Sequence, residues 1–140
     1  MKLDFSSLIK AVESIEKTLD VAVKSDASGL DANTINAIKA GVIQNFEFTY
    51  ELCWKFMKRW LRENAPAEQA EHPRARKELF RLAAQYGLID NPAAWFTYGD
   101  ARNLTSHTYD EDTAESVYET AVDFAKDARS FLNKLQAKNE

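Results

Sequence analysis

Apolar residues recur at steps of three and four along most of the chain, the spacing of a helix with one buried face. Phe5, Leu8, Ile9, Val12, Ile15, Leu19 and Ala22 predict a first helix over about residues 4–25. Ser25 to Asn33, with Ser28-Gly29 inside it, reads as the loop that turns the chain back. From Thr34 to Asn64 no proline interrupts, and Ile35, Ile38, Val42, Ile43, Phe46, Tyr50, Cys53, Trp54, Met57 and Leu61 keep a helical period, predicting one long helix. Pro66 to Glu71 forms a second connection, and Pro73 suits the first turn of a third helix that runs to Tyr86. Gly87 supplies a left-handed stop, and Asn91-Pro92 gives an N-cap and first-turn proline for a fourth helix carrying Trp95, Phe96, Tyr98 and Leu104. Asp112-Thr113-Ala114-Glu115 has capping-box spacing, so the last helix is expected to start near Asp112 and to bury Val117, Tyr118, Ala121, Phe124, Ala128, Phe131, Leu132 and Leu135. No repeat and no persuasive strand interrupts this series. The expected fold is all-α, an up-and-down four-helix bundle with an additional short helix, forming a single domain over residues 1–140.

The long helix has an unusually wide apolar arc. At 100° per residue, Glu47, Glu51, Lys55, Lys58 and Arg62 share one narrow stripe. Phe46, Tyr50, Trp54 and Met57, and then Phe48, Leu52, Phe56 and Trp60, cover most of the rest. Two readings fit: helices three and five cover both sides, or part of the arc faces a second subunit, most simply a symmetric copy. The second is the more economical.

Composition narrows the class. With 140 residues, 45% hydrophobic and 29% charged, the chain can close one core and is neither a disordered polyelectrolyte nor a membrane protein. Cys53 is the one cysteine and lies in an apolar run, which excludes an intrachain disulfide and fits a reducing cytoplasm. The N-terminus has an acid where a secretory signal would turn hydrophobic, so a cytoplasmic protein without membrane attachment is expected. A net charge of −4 argues against general coating of nucleic acid but leaves room for a local basic face.

The densest polar run is Asp100-Ala-Arg102-Asn103-Leu-Thr-Ser-His107-Thr-Tyr109-Asp110. On a continuous helix Arg102 and His107 would lie about 140° apart, so they converge only if the helix ends close to His107. A guanidinium that is always charged and an imidazole with a pKa of about 6.5 suit phosphodiester chemistry, one stabilising phosphate charge and the other moving a proton. RNA is the natural substrate for such a pair, because its 2′-hydroxyl is an internal nucleophile and no metal or other cofactor is needed. Spacing alone favours a plainer reading: Arg102 paired with Asp100 or Asp110, His107 packed at a helix end, and Tyr109 a packing residue.

Resemblance weighs the other way. Arg102-x4-His107-x-Tyr109, with Asn103 after the arginine, resembles the signature of the HEPN superfamily. Gly41-Val-Ile-Gln-Asn-Phe-Glu-Phe-Thr-Tyr-Glu-Leu-Cys-Trp-Lys, then Trp95, then Arg-Asn-Leu-Thr-Ser-His-Thr-Tyr-Asp-Glu, is similar to the HEPN branch of nucleotidyltransferase substrate-binding proteins. The resemblance implies a helical bundle, usually a homodimer, acting beside a separately encoded minimal nucleotidyltransferase. Two functions go with it. One is a metal-independent endoribonuclease of the toxin–antitoxin kind, which the partner silences by adenylylating a tyrosine. The other is a non-catalytic subunit that presents substrate to the nucleotidyltransferase. Because every motif position is present, the first is preferred. Carried over by position, it gives Arg102 the phosphate, His107 the proton transfer, Asn103 the orientation of the site and Tyr109 the modification.

Three further groups carry weaker signals. Glu47 and Glu51 either orient Arg102 or form a charged seam, Glu51 with Lys55. Arg74, Arg76, Lys77 and Arg81 make helix three basic, as a solvated face or a path for RNA. His72 has no second histidine at ligand spacing, and no metal site is expected.

Overall fold

The computed structural model describes residues 3–66 and 76–138. These residues form α1 (Ser6–Ala27), α2 (Ala32–Asn64), α3 (Arg76–Gln85), α4 (Pro92–Asn103) and α5 (Glu111–Lys138), with a 3₁₀ turn at Thr105–His107 and no strand. The architecture is the all-α bundle that the periodicity predicts. The long helices α1, α2 and α5 pack on one another, α4 fills the fourth position against α2 and α5, and α3 is the additional short helix, touching only α2 and α4 among the described helices.

Hydrogen-bonding side chains at the helix ends explain where the boundaries fall. Gly87 (φ +76°) closes α3: the Leu88 N–H donates to the Ala83 carbonyl and the Gly87 N–H to that of Ala84, while Leu88 itself is buried. The Asn91 side chain accepts the Ala93 N–H and Pro92 opens α4, as expected. Four boundaries differ from the sequence reading. α1 continues to Ala27, because the hydroxyls of Ser25 and Ser28 donate back to the carbonyls of Ala22 and Lys24 and the chain meets no left-handed residue before Gly29 (φ +70°). α2 begins at Ala32, two residues before Thr34, because the Asp31 carboxylate accepts the Thr34 N–H at 2.8 Å. α5 begins at Glu111 rather than at a capping box on Asp112: the Asp110 carboxylate accepts both the Thr113 N–H and its hydroxyl, and Asp112 lies exposed in the first turn. Leu104 is not part of α4 but follows its last residue and is exposed. His72, Pro73 and Arg74 lie outside the described residues.

The core is dominated by rings. Phe124 of α5 meets Phe46 of α2 at 5.1 Å, and Tyr98 and Trp95 of α4 at 5.3 and 5.7 Å, each nearly edge-on. Such pairs add about 0.5–1.5 kcal/mol each beyond their area burial. Cys53 is completely enclosed, and burial pushes its thiol well above the ordinary value.

The wide arc of α2 is mostly covered within the chain, by α3 and α5 as in the alternative to a second subunit, and by α1 in addition. Phe56 packs on Phe5, just before α1, Trp60 lies against Tyr86, and Tyr50 packs on Phe80 of α3. Phe48 is the exception, 59% exposed in the middle of α2. No described helix is long and apolar enough to cross a membrane.

Gly99 lets α4 approach α2 closely, since a Cβ there would stand 2.9 Å from the Tyr50 hydroxyl. Tyr50 is fully buried and its ring is held by Phe46, Phe80 and Phe124, so it has little room to retreat. We therefore expect Gly99→Ala to lower stability by about 1–3 kcal/mol despite alanine's better helix propensity. The same substitution in a Tyr50→Phe background should be neutral or stabilising by up to about 1 kcal/mol. Urea unfolding of the four proteins in the cycle measures the reversal of sign.

Candidate functional site at the end of α4

Trp95, Tyr98 and Ala101, three residues apart, form the buried face of α4. The Tyr98 hydroxyl donates to Asp127 of α5, and burial first, then this bond, raise the pKa of the phenol. With that face fixed, Arg102 in the last turn is turned toward α2. Its Nε donates to Glu51 Oε1 at 3.1 Å, and its Nη2 lies 3.6 Å from Glu47 Oε1. Glu51 is shared. Arg76, at the start of α3, grips both Glu51 oxygens at 3.0 and 3.1 Å, and its guanidinium lies over the rings of Trp54 and Tyr50. One carboxylate thus holds a guanidinium on each side, and a second balances the charge.

These contacts settle the partners of Arg102. They are Glu51 and Glu47, not Asp100 or Asp110, because Asp110 is occupied as the cap of α5 and Asp100 lies on the opposite side of α4, in a groove against α3. Glu51 pairs with the two arginines rather than with Lys55. The contacts occupy the Nε and Nη2 edge of the Arg102 guanidinium. Nη1 has no partner among the described residues, so a donor remains for an anion.

After Asn103 the chain tightens into the 3₁₀ turn. The Leu104 N–H donates to Ala101, the His107 N–H to Leu104, and the Thr105 and Thr108 hydroxyls to the carbonyls of Arg102 and Thr105. The backbone is therefore self-satisfied, leaving the side chains of His107 and Tyr109 free to face solvent. Their rings stand edge-on with centroids 6.4 Å apart, and Tyr109 is 86% exposed, which removes the packing role that spacing left open for it.

The candidate residues form three adjacent groups. Arg102 and Glu47 meet on α2, His107 and Tyr109 meet on the turn, and no hydrogen bond joins the Arg102 and His107 side chains. Asn103 lines the α3–α4 groove with Tyr50, Arg76 and Asp100. The roles of Arg76 as second partner of Glu51, and of Gly99 as the gap over Tyr50, were not legible in the sequence. No heptad or spacing rule says which basic residue of α3 faces α2. Among the described residues no group of three or more histidine, cysteine or acidic side chains converges as metal ligands.

Residues 3–137 match the family model described as nucleotidyltransferase substrate binding protein like. A Haemophilus influenzae protein named "Probable ribonuclease HepT" is 37% identical over 142 residues, covering 99% of this chain and 96% of that one. A solved Haemophilus influenzae structure, described as the fold of a substrate binding domain of a nucleotidyltransferase, superposes with a TM-score of 0.88 at 34% identity, covering 95% of this chain and 99% of that one. A Thermus thermophilus crystal structure gives a TM-score of 0.67 at 25% identity, covering 89% and 98%.

Two outcomes test the frame of the site. Glu51→Gln removes the charge that Arg76 and Arg102 share, and should lower unfolding free energy by about 1–3 kcal/mol in denaturant titrations. The cap of α5 should be acid-sensitive. The Thr113 N–H, and then its hydroxyl, hold the Asp110 carboxyl below its ordinary 3.8. A depressed folded value means that this contribution is complete above the ordinary value and disappears as pH falls through the lowered one. Asp110→Ala at neutral pH should reproduce the acid effect, seen as faster hydrogen exchange at Thr113 and Ala114.

Proposed function

Because the chain belongs to the family of nucleotidyltransferase substrate binding protein-like chains, we propose that it is the HEPN-type partner of a separate minimal nucleotidyltransferase. In this reading it is a metal-independent endoribonuclease, held inactive by adenylylation of Tyr109. The observation that carries it is the end of α4: an arginine fixed by Glu51 and Glu47 with a donor to spare, followed by a turn that presents His107 and Tyr109 to solvent.

The chemistry follows from those groups. His107 takes the proton of an RNA 2′-hydroxyl. The 2′-oxygen attacks the adjacent phosphorus, the bond to the 5′-oxygen breaks, and that oxygen leaves with a proton from solvent, giving a 2′,3′-cyclic phosphate. Arg102 balances the negative charge that builds on the phosphoryl oxygens, with Asn103 orienting the strand beside it. In the partner's reaction the Tyr109 hydroxyl attacks the α-phosphorus of ATP, losing its proton and releasing pyrophosphate. The product is an anionic phosphodiester next to His107, which occupies the place of the scissile phosphate.

Phe48 supports a homodimer. This large ring is left 59% exposed one residue from Glu47, and in the dimeric reading a second copy covers it and brings two copies of the site to one cleft. The family description and the Haemophilus structure also support the second reading, in which the same mouth presents substrate to the nucleotidyltransferase without cleaving anything.

An assay of the purified, unmodified protein against mixed cellular RNA in EDTA separates the two. We expect cleavage with cyclic-phosphate ends, a loss of about 100-fold or more in His107→Ala and Arg102→Ala, and inhibition after treatment with the partner and ATP that Tyr109→Phe escapes. An inert, folded parent would leave the substrate-presenting reading.

A further inference from the structure

Apart from Asn103, the residues that line the groove between α3 and α4 are not used by the chemistry above. It has a volume of about 460 Å³, within the usual range of small-ligand clefts. Tyr50 and Phe80 form its floor, Arg76 and Lys77 one wall, and Phe96, Gly99, Asp100 and Asn103 the other. The missing side chain at Gly99 keeps the floor low, and the Tyr50 hydroxyl beneath it is buried beside the Arg76 guanidinium.

The charge in this groove runs against that of the chain. The protein carries −4 overall, yet Lys77 in the groove wall and Arg81 beside the groove have no carboxylate partner among the described residues, and both sit over the half-buried Phe96 ring at 5.5 and 5.1 Å from its centroid. Two uncompensated cations at an aromatic face suit a ligand that is anionic along one edge and flat along another. Asp100 and Asn103 on the same wall add an acceptor-only group and an amide able both to donate and to accept. An acidic peptide would satisfy the cations but would find Asp100 repulsive and Phe96 without use. A nucleotide uses all four.

We infer that this groove is a nucleotide subsite for single-stranded RNA, which stacks one base on Phe96 in place of the Lys77 and Arg81 side chains, draws those two cations out to its flanking phosphates, and presents the base edge to Asp100 and Asn103. The inference rests on the ribonuclease reading for its location, since Asn103 directly follows Arg102 and a strand seated here leads to the cleaving groups. An acceptor-only carboxylate at the base edge favours bases with an exocyclic amine, so the subsite prefers adenine, cytosine or guanine to uracil.

The test measures binding apart from cleavage. Full-length protein carrying His107→Ala is titrated with a fluorescein-labelled single-stranded oligoribonucleotide, and with a second containing 2-aminopurine. Lys77→Glu combined with Arg81→Glu should weaken binding by about tenfold or more and flatten its salt dependence. Phe96→Leu should weaken it about fivefold and remove the stacking-induced quench of 2-aminopurine. The charge reversals lie on an exposed helix face and leave the core intact, so they remain informative if Phe96→Leu misfolds. Affinities within twofold of the parent for the charge-reversed protein would overturn the subsite. So would unchanged RNA binding together with lost capture of the partner nucleotidyltransferase, which would give the groove to a protein. A parent that cleaves RNA with variants that bind normally removes the subsite alone. A parent that cleaves nothing, with variants that bind RNA poorly, removes the ribonuclease reading and keeps the subsite.

Discussion

Phe124 sits where three helices meet, and its edge-on contacts with Phe46, Trp95 and Tyr98 fix the position of α4 relative to α2 and α5. Helix α4 has only 12 residues, too few to be stable alone, so tertiary packing must hold it. Rings suit the task, because they fill large volumes with few rotatable bonds and an edge-on pair resists rotation about the helix axis. Everything polar at the end of α4 inherits its direction from that docking. Were the helix to turn by one residue's worth of angle, Arg102 would leave α2 and Asn103 would leave the groove.

The second level of order is electrostatic. Glu51 is half-buried between two guanidiniums, and a carboxylate there would be costly without them. With both in place, α3 and α4 are each tied to the same carboxylate on α2, so the two short helices are registered to each other through the long one. The aromatic contacts determine where α4 lies and the shared carboxylate determines where its last side chain points. Function at this end of the bundle needs both.

Much of this was legible in the sequence. The helical periods give five helices in the right order, and Gly87 and Asn91-Pro92 mark their boundaries where the structure has them. The errors at α1, α2 and α5 share one cause: several Ser, Asp and Thr residues near each boundary can cap, and only three-dimensional context selects Asp31 and Asp110 from among them. The coverage of the α2 arc by α1 was hidden for a related reason, since the face on which a neighbouring helix packs depends on loop geometry and not on periodicity. For the site, the motif gives the residues but not their grouping. That adjacent Arg102 and Asn103 serve different surfaces follows from the end of α4, and that Arg76 reaches Glu51 depends on the placement of α3.

The enclosure of Cys53 has a practical side. The chain has one thiol, completely enclosed and with its pKa raised, so reagents that alkylate or oxidise surface cysteines meet an unreactive protein. Any cysteine introduced on the surface would therefore be the sole labelling position without further engineering. Spin labels or dyes placed at single chosen points along α2 or on the turn after α4 would report distances and motions there against a silent background.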